Sequence, residues 1–182
     1  MRPTDECYIS VDVEASGPIP GEYSMLSLGA CVVGRRDVTF YVEFRPLNDN
    51  LVPEAIAVSK LDMGRLSRDG DEAALAMCRF KDWLLATCGA TKPVFVGFNA
   101  AFDWAFVNWY FHKFVGENPF GFAPADIKSY YMGLTGSAWR ETTSSRLPER
   151  FRPSYPADHN ALNDAIAQAE IFEKLLAEHQ AE

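Results

Sequence analysis

The sequence predicts an α/β domain in which helices pack on the faces of a mixed sheet. Three observations lead there. The chain opens with short alternating or apolar runs at residues 7–13, 25–33 and 38–44. Helical periodicity then takes over at 71–87, 99–114 and 161–178. A short apolar run at 94–98 falls between the first two of those helices. Strands first, then helices interleaved with a strand, is the order of a sheet covered on both faces.

Residues 7–13 alternate, with Ile9, Val11 and Val13 on one side, as a half-buried strand requires. The cluster Ser16-Gly17-Pro18-Ile19-Pro20-Gly21 ends that strand in a turn. Residues 25–33 are short and apolar, with Gly29 inside them, and 38–44 are rich in β-branched and aromatic residues up to Pro46. These runs read as an antiparallel meander. Pro53 and Glu54 start a short helix over 53–61. Ala74, Leu75, Met77, Cys78, Trp83 and Leu84 give 71–87 an amphipathic face, and Pro93 precedes a buried strand at 94–98. Residues 125–134 are a shorter helical candidate, and 135–157, with three prolines, form an irregular loop. The last helix carries Leu162, Ile166, Ala169, Ile171, Phe172, Leu175 and Leu176 as its apolar set.

The 182 residues fit one domain, and 48% hydrophobic residues are enough for a sizeable core. No apolar run reaches the roughly 20 residues of a membrane helix, and no basic start leads into an apolar block. The expectation is a cytoplasmic protein with no membrane partner. Cys7, Cys31, Cys78 and Cys88 have no knuckle or redox spacing and are expected to be buried thiols. A net charge of −8 argues against a broad basic grip on duplex nucleic acid. It leaves open a nuclease whose carboxylates recruit cations to meet the phosphate.

Three acidic elements stand out. Asp12 and Glu14, two apart on a strand, leave by the same face, where like charges repel unless a cation joins them. Taken alone, they fit a solvated strand end equally well. Asp103 lies about one turn into a helix that follows a buried strand, a place where a lone acid also simply suits the helix dipole. His159 and Asp164 sit at the start of the last helix, where Asp158 or His159 would serve as an N-cap. If the three elements meet at the end of the first strand, their hard oxygen ligands suit Mg²⁺ or Mn²⁺.

Asp12-Val13-Glu14-Ala15-Ser16-Gly17, Gly97-Phe98-Asn99-Ala100-Ala101-Phe102-Asp103 and the segment from His159 to Asp164 resemble, in order, the three motifs of the DEDDh exonucleases. That family includes polymerase proofreading subunits, ribonuclease T and oligoribonuclease. The resemblance covers roughly residues 7–175. It implies a ribonuclease H-like fold with a five-stranded mixed sheet, and 3′–5′ hydrolysis of single-stranded RNA or DNA to nucleoside 5′-monophosphates. It further implies two Mg²⁺ or Mn²⁺ ions. Asp12 would bridge them, Glu14 and Asp164 would hold the ion carrying the attacking water, and Asp103 would reach the second through water. His159 would be the general base. Ala15, Ser16 and Gly17 would touch the terminal nucleotide through backbone N–H groups, Met25 or Leu26 would pack on its base, and Phe98, Asn99 and Phe102 would line the substrate path. For the aromatics, burial in the core is the competing reading. A homodimer is expected from the same resemblance.

Ala15, Ser27 and the stretch 58–61 depart from the pattern of proofreading relatives, which favours a stand-alone enzyme over a polymerase subunit. A catalytically inactive binding module is the alternative of a different class. The presence of all five motif residues argues against it. Arg140, Arg146, Arg150 and Arg152, set against Glu141 and Glu149, make the loop at 135–157 locally basic, a contrast that would guide phosphate.

Overall fold

The computed structural model describes residues 6–154 and 158–181. Strands β1 (Cys7–Ala15), β2 (Met25–Val32) and β3 (Arg35–Glu43) form the expected antiparallel meander. Helices α1 (Pro53–Ser59), α2 (Met63–Asp69) and α3 (Ala73–Cys88) follow. Then come β4 (Pro93–Gly97), α4 (Ala101–Phe114), β5 (Ala125–Asp126), α5 (Ile127–Thr135) and α6 (Ala161–Ala181). The sheet order is β3-β2-β1-β4-β5, with β4 parallel to both β1 and β5. This is the mixed sheet with flanking helices that the hydrophobic patterns predict, and the five strands are those the family resemblance implies. No helix among the described residues is long and apolar enough to cross a membrane.

Two apolar clusters cover the two faces. Ile9, Val11 and Val13 of β1 point into the larger one, built with Phe80 of α3 and with Phe106, Tyr110 and Phe111 of α4. Tyr8 of β1 packs instead against the smaller cluster, where Ile127, Phe151, Phe172 and Leu175 meet. Alternation along β1 therefore puts Ser10, Asp12 and Glu14 on the α6 side. All eight residues of β2 are buried, so this strand is covered on both faces.

Gly29 sets how closely α6 approaches. It lies opposite Asp12 in the β1–β2 register. A Cβ there would come within 2.3 Å of backbone atoms of Ala161 and Leu162. The first turn of α6 thus rests directly on β2, next to Asp12.

Several expectations need correction. Helix α2 was not foreseen; Asp62 caps it by accepting the Arg65 N–H. Residues 125–134 contribute a two-residue strand before α5 begins. The stretch 135–157 is not wholly irregular, for three 3₁₀ turns occur at Trp139–Glu141, Ser144–Arg146 and Glu149–Phe151. Leu147 and Phe151 from this stretch are buried in the smaller cluster. The cysteines are not four buried thiols. Cys7 and Cys88 are bonded as a disulfide with Cα atoms 5.6 Å apart, Cys31 is buried and Cys78 is exposed. Cys7 and Cys88 are 81 residues apart, so no local spacing marks them as a pair.

The α6 contact yields a paired test. Gly29→Ala must move backbone, and overpacking of this kind costs about 1–3 kcal/mol. Gly133→Ala, in α5 with nothing within 4 Å, should be neutral or gain about 0.5–1 kcal/mol of helix propensity. Urea unfolding of the two variants checks this, and equal tolerance would contradict the close approach.

Candidate active site

The site assembles where β4 parts from β1. Their parallel register ends at Ser10↔Val96, which leaves the Val13 N–H without a β4 partner. Asp103, in the first turn of α4, accepts that N–H through Oδ1 at 3.0 Å and is itself buried. The start of α4 is fixed from two sides. Asn99 takes a left-handed conformation (φ 65°), and the Ala100 N–H donates to Asp126 Oδ2 at 2.9 Å. The other Asp126 oxygen caps α5 by accepting the Ser129 N–H at 2.7 Å.

On the α6 side, the helix N-cap is Asn160, not Asp158 or His159 as the sequence suggested. Asn160 Oδ1 accepts the N–H groups of Leu162 and Asn163. Asp158 instead accepts from the Asn160 N–H, and its own N–H donates to Asp164 Oδ1 at 3.0 Å. This turn holds His159 exposed in a left-handed conformation (φ 63°). Glu14, His159 and Asp164 each offer a ligand atom, and these atoms lie within 4.8 Å of one another. A register shift between Glu14 and Ala15 bends the end of β1 at this point.

Gln168, one turn after Asp164, was missed in the sequence. Its Nε2 donates to Asp12 Oδ1 at 2.5 Å, and its Oε1 accepts the Phe98 N–H at 2.8 Å. One amide thus joins α6, β1 and the end of β4. The spacing i, i+4 from Asp164 puts both side chains on one face of α6, a signal available in the sequence.

The carboxylates strain one another. Burial pushes Asp12 well above its ordinary range, and the charges of Asp103, Asp164 and Glu14 push it further, while the Gln168 hydrogen bond pulls it back. Glu14 rises to about 8, through burial and then the charges of Asp164 and Asp103. Asp103 rises to about 7, chiefly through burial, against the lowering effect of the Val13 N–H. Asp164 is raised by burial. Among the described residues, none of the four has an ion-pair partner. Four hard carboxylates facing one another without a cation suit divalent ions.

The remaining expected residues divide. Ala15, Gly17 and Phe102 line an apolar cavity of about 510 Å³ that begins at Glu14 and is walled by Val52 and Val58. Phe98 is half-buried on the opposite side of the cluster, and Asn99 is exposed. Met25 and Leu26 are fully buried, Met25 within the core, so neither presents a surface to a base. Ser16 is also fully buried. Its N–H donates to the Ser24 carbonyl, and its hydroxyl donates to the Asn50 carbonyl and accepts the Ser24 N–H. Those donors brace the loop and are not free for a nucleotide. Beside Gly17, a Cβ would strike the Tyr23 ring at 2.3 Å, so packing accounts for this glycine. The basic loop is only partly neutralised: Arg140 and Arg146 share Glu141, and Arg150 meets Glu178.

The mutual repulsion predicts a pH dependence. Glu14 has an ordinary value of 4.5 and rises to about 8 in the fold. Between those values the folded state binds more protons than the unfolded one, so stability falls as pH rises through that window. In chelator, urea midpoints should drop towards the alkaline end, and Glu14→Gln should flatten the drop. A variant with the same slope as the parent would contradict the assignment.

No protein-family model matches the chain. It is 46% identical over 173 residues to the 3′-5′ DNA exonuclease Cap18 of Escherichia coli, covering 94% of this chain and 92% of that protein. The nuclease domain of 3′hExo, a DEDDh family member solved with rAMP, superposes with a TM-score of 0.76 at 15% identity, over 97% of this chain and 94% of that one. E. coli Exonuclease I in complex with a dA16 oligonucleotide gives 0.67 at 15% identity, over 94% of this chain and 41% of that one. The chain belongs to the DEDDh-type 3′–5′ exonuclease family and is a 3′–5′ exonuclease with a ribonuclease H-like fold.

Proposed function

We propose that the enzyme shortens single-stranded nucleic acid from its 3′ end by a mechanism that depends on two divalent ions, with His159 as general base. The convergence of Asp12, Glu14, Asp103 and Asp164 on one another without a cationic partner carries this reading. The position of His159, whose ring nitrogen lies within 4.8 Å of Glu14 and Asp164 oxygens, supports it. The 46% identical relative is by its name a DNA exonuclease, and DNA is the substrate we favour.

Asp12, Glu14, Asp103 and Asp164 hold the ions. Bound there, Mg²⁺ or Mn²⁺ supplies Lewis-acid polarisation of the phosphodiester and lowers the pKa of water. His159 takes a proton from the attacking water as its oxygen bonds to phosphorus. The P–O3′ bond breaks, the 3′ oxygen leaves on the upstream strand and is protonated by solvent, and a nucleoside 5′-monophosphate is released. Gln168 keeps Asp12 in place between α6 and β1. The apolar cavity beside Glu14 takes the terminal nucleoside, with Phe102 and Val58 against its base.

With 5′-labelled single-stranded DNA and RNA of equal sequence, Mg²⁺ or Mn²⁺ should give a ladder shortening from the 3′ end. EDTA and Asp12→Asn should each abolish it. His159→Ala should lower kcat by about 10²–10⁴-fold, the usual worth of a positioned general base. Shortening that persists in EDTA would contradict the metal-dependent reading, and an undiminished kcat in His159→Ala would remove the base assignment.

A further inference from the structure

A second cavity, of about 650 Å³, opens on the other side of the carboxylates, between the end of β4, the 3₁₀ turns and α6. Asp164 and Gln168 form part of its wall, so it shares a border with the catalytic cluster. Its lining differs from that of the cavity beside Glu14. There, the only charged groups are Glu14 and Glu54, and the walls are otherwise apolar. Here, Phe98, Pro153 and Ile171 provide apolar surface, while Ser144, Ser145 and Arg152 provide hydroxyls and a cation. A volume of this size is in the range of small-ligand sites.

Arg152 is unlike the other loop arginines. Its Nε donates to the Leu147 carbonyl at 2.8 Å and its Nη2 to the Ser145 carbonyl at 3.5 Å. Arg140, Arg146 and Arg150 each face a glutamate, whereas Arg152 has no carboxylate partner among the described residues. Its guanidinium is held by neutral oxygens, so its charge is not cancelled. Leu147 and Phe151, both buried in the smaller cluster, anchor the turns that precede it.

We infer that this cavity seats the nucleotide immediately upstream of the scissile bond: an unpaired base against Phe98, Pro153 and Ile171, and the phosphate on its 5′ side against Arg152, Ser144 and Ser145. The inference rests on the exonuclease reading of the carboxylate cluster given above. An aromatic ring beside apolar walls accepts any unpaired base through its π-face. A guanidinium matches the fork geometry of a phosphate. The strand then crosses the carboxylates from Arg152 towards Phe102, in the 5′ to 3′ direction. The nucleotide in the Arg152 cavity stays attached after cleavage and becomes the next 3′ end.

The test compares two substrates in Mn²⁺. The 4-nitrophenyl ester of thymidine 5′-monophosphate carries a terminal nucleoside and a cleavable phosphodiester but no upstream nucleotide. A single-stranded oligothymidylate carries both. Arg152→Gln should lower the ratio of kcat/KM on the oligomer to kcat/KM on the ester about tenfold, and Arg152→Lys should recover part of it. Fluorescence anisotropy in EDTA should show the oligomer Kd less salt-dependent in Arg152→Gln, its logarithmic slope reduced by about 0.7, the contribution of one phosphate contact on a single strand. A purely structural role would lower both kcat/KM values and leave their ratio and the salt slope in place, which would overturn the proposal. A wild-type enzyme that cleaves neither substrate would overturn the metal-dependent reading of the carboxylates, and this inference with it.

Discussion

Four carboxylates held at one end of a sheet, half-buried or buried, repel one another strongly, and the surrounding structure is arranged around that repulsion. Each comes from a separate constraint: Asp12 and Glu14 from the alternation of β1, Asp103 from the first turn of α4, Asp164 from the first turn of α6. None is neutralised by a lysine or arginine among the described residues, although the chain has seventeen of them. Burial raises the affinity of all four for protons, and a divalent cation satisfies the same demand more fully.

Holding such a cluster requires neutral donors and close backbone contacts. The Val13 N–H, released where β4 leaves β1, goes to Asp103; the Gln168 amide goes to Asp12; the Asp158 N–H goes to Asp164. Hydrogen bonds of this kind fix a carboxylate without cancelling its charge. Gly29 lets α6 rest on β2, and Asn160 starts that helix one residue after His159, so the imidazole is left facing the cluster. The cavities on the two sides then differ in character, apolar beside Glu14 and mixed with a cation beside Asp164.

Much of this was legible in the sequence, because it rests on short-range spacing. Alternation in 7–13 placed Asp12 and Glu14 on one face, and the helical periods located α3, α4 and α6. What was not legible depends on contacts distant in sequence. The Cys7–Cys88 pairing needs the end of α3 beside the start of β1. The burial of Met25 and Leu26 needs β2 covered on both faces, and the order in the loop after α5 comes from Leu147 and Phe151 reaching the core. Ser16 looks like a ligand-facing residue in a motif, yet it serves the loop itself through Ser24 and Asn50, while Gly17 packs on Tyr23 and also lines the cavity beside Glu14. Gln168 lay within reach of helical spacing from Asp164, but its partner Asp12 is 156 residues away.

The most direct test of the account is to count the ions that the cluster binds, independent of turnover. Calorimetric titration of Mn²⁺ into the metal-free protein, in the presence of a nucleoside 5′-monophosphate, should give two ions per chain, and Asp12→Asn should remove measurable binding of both. A parent protein that binds no Mn²⁺, or a variant that binds it as the parent does, would contradict the claim that these carboxylates are gathered to hold cations.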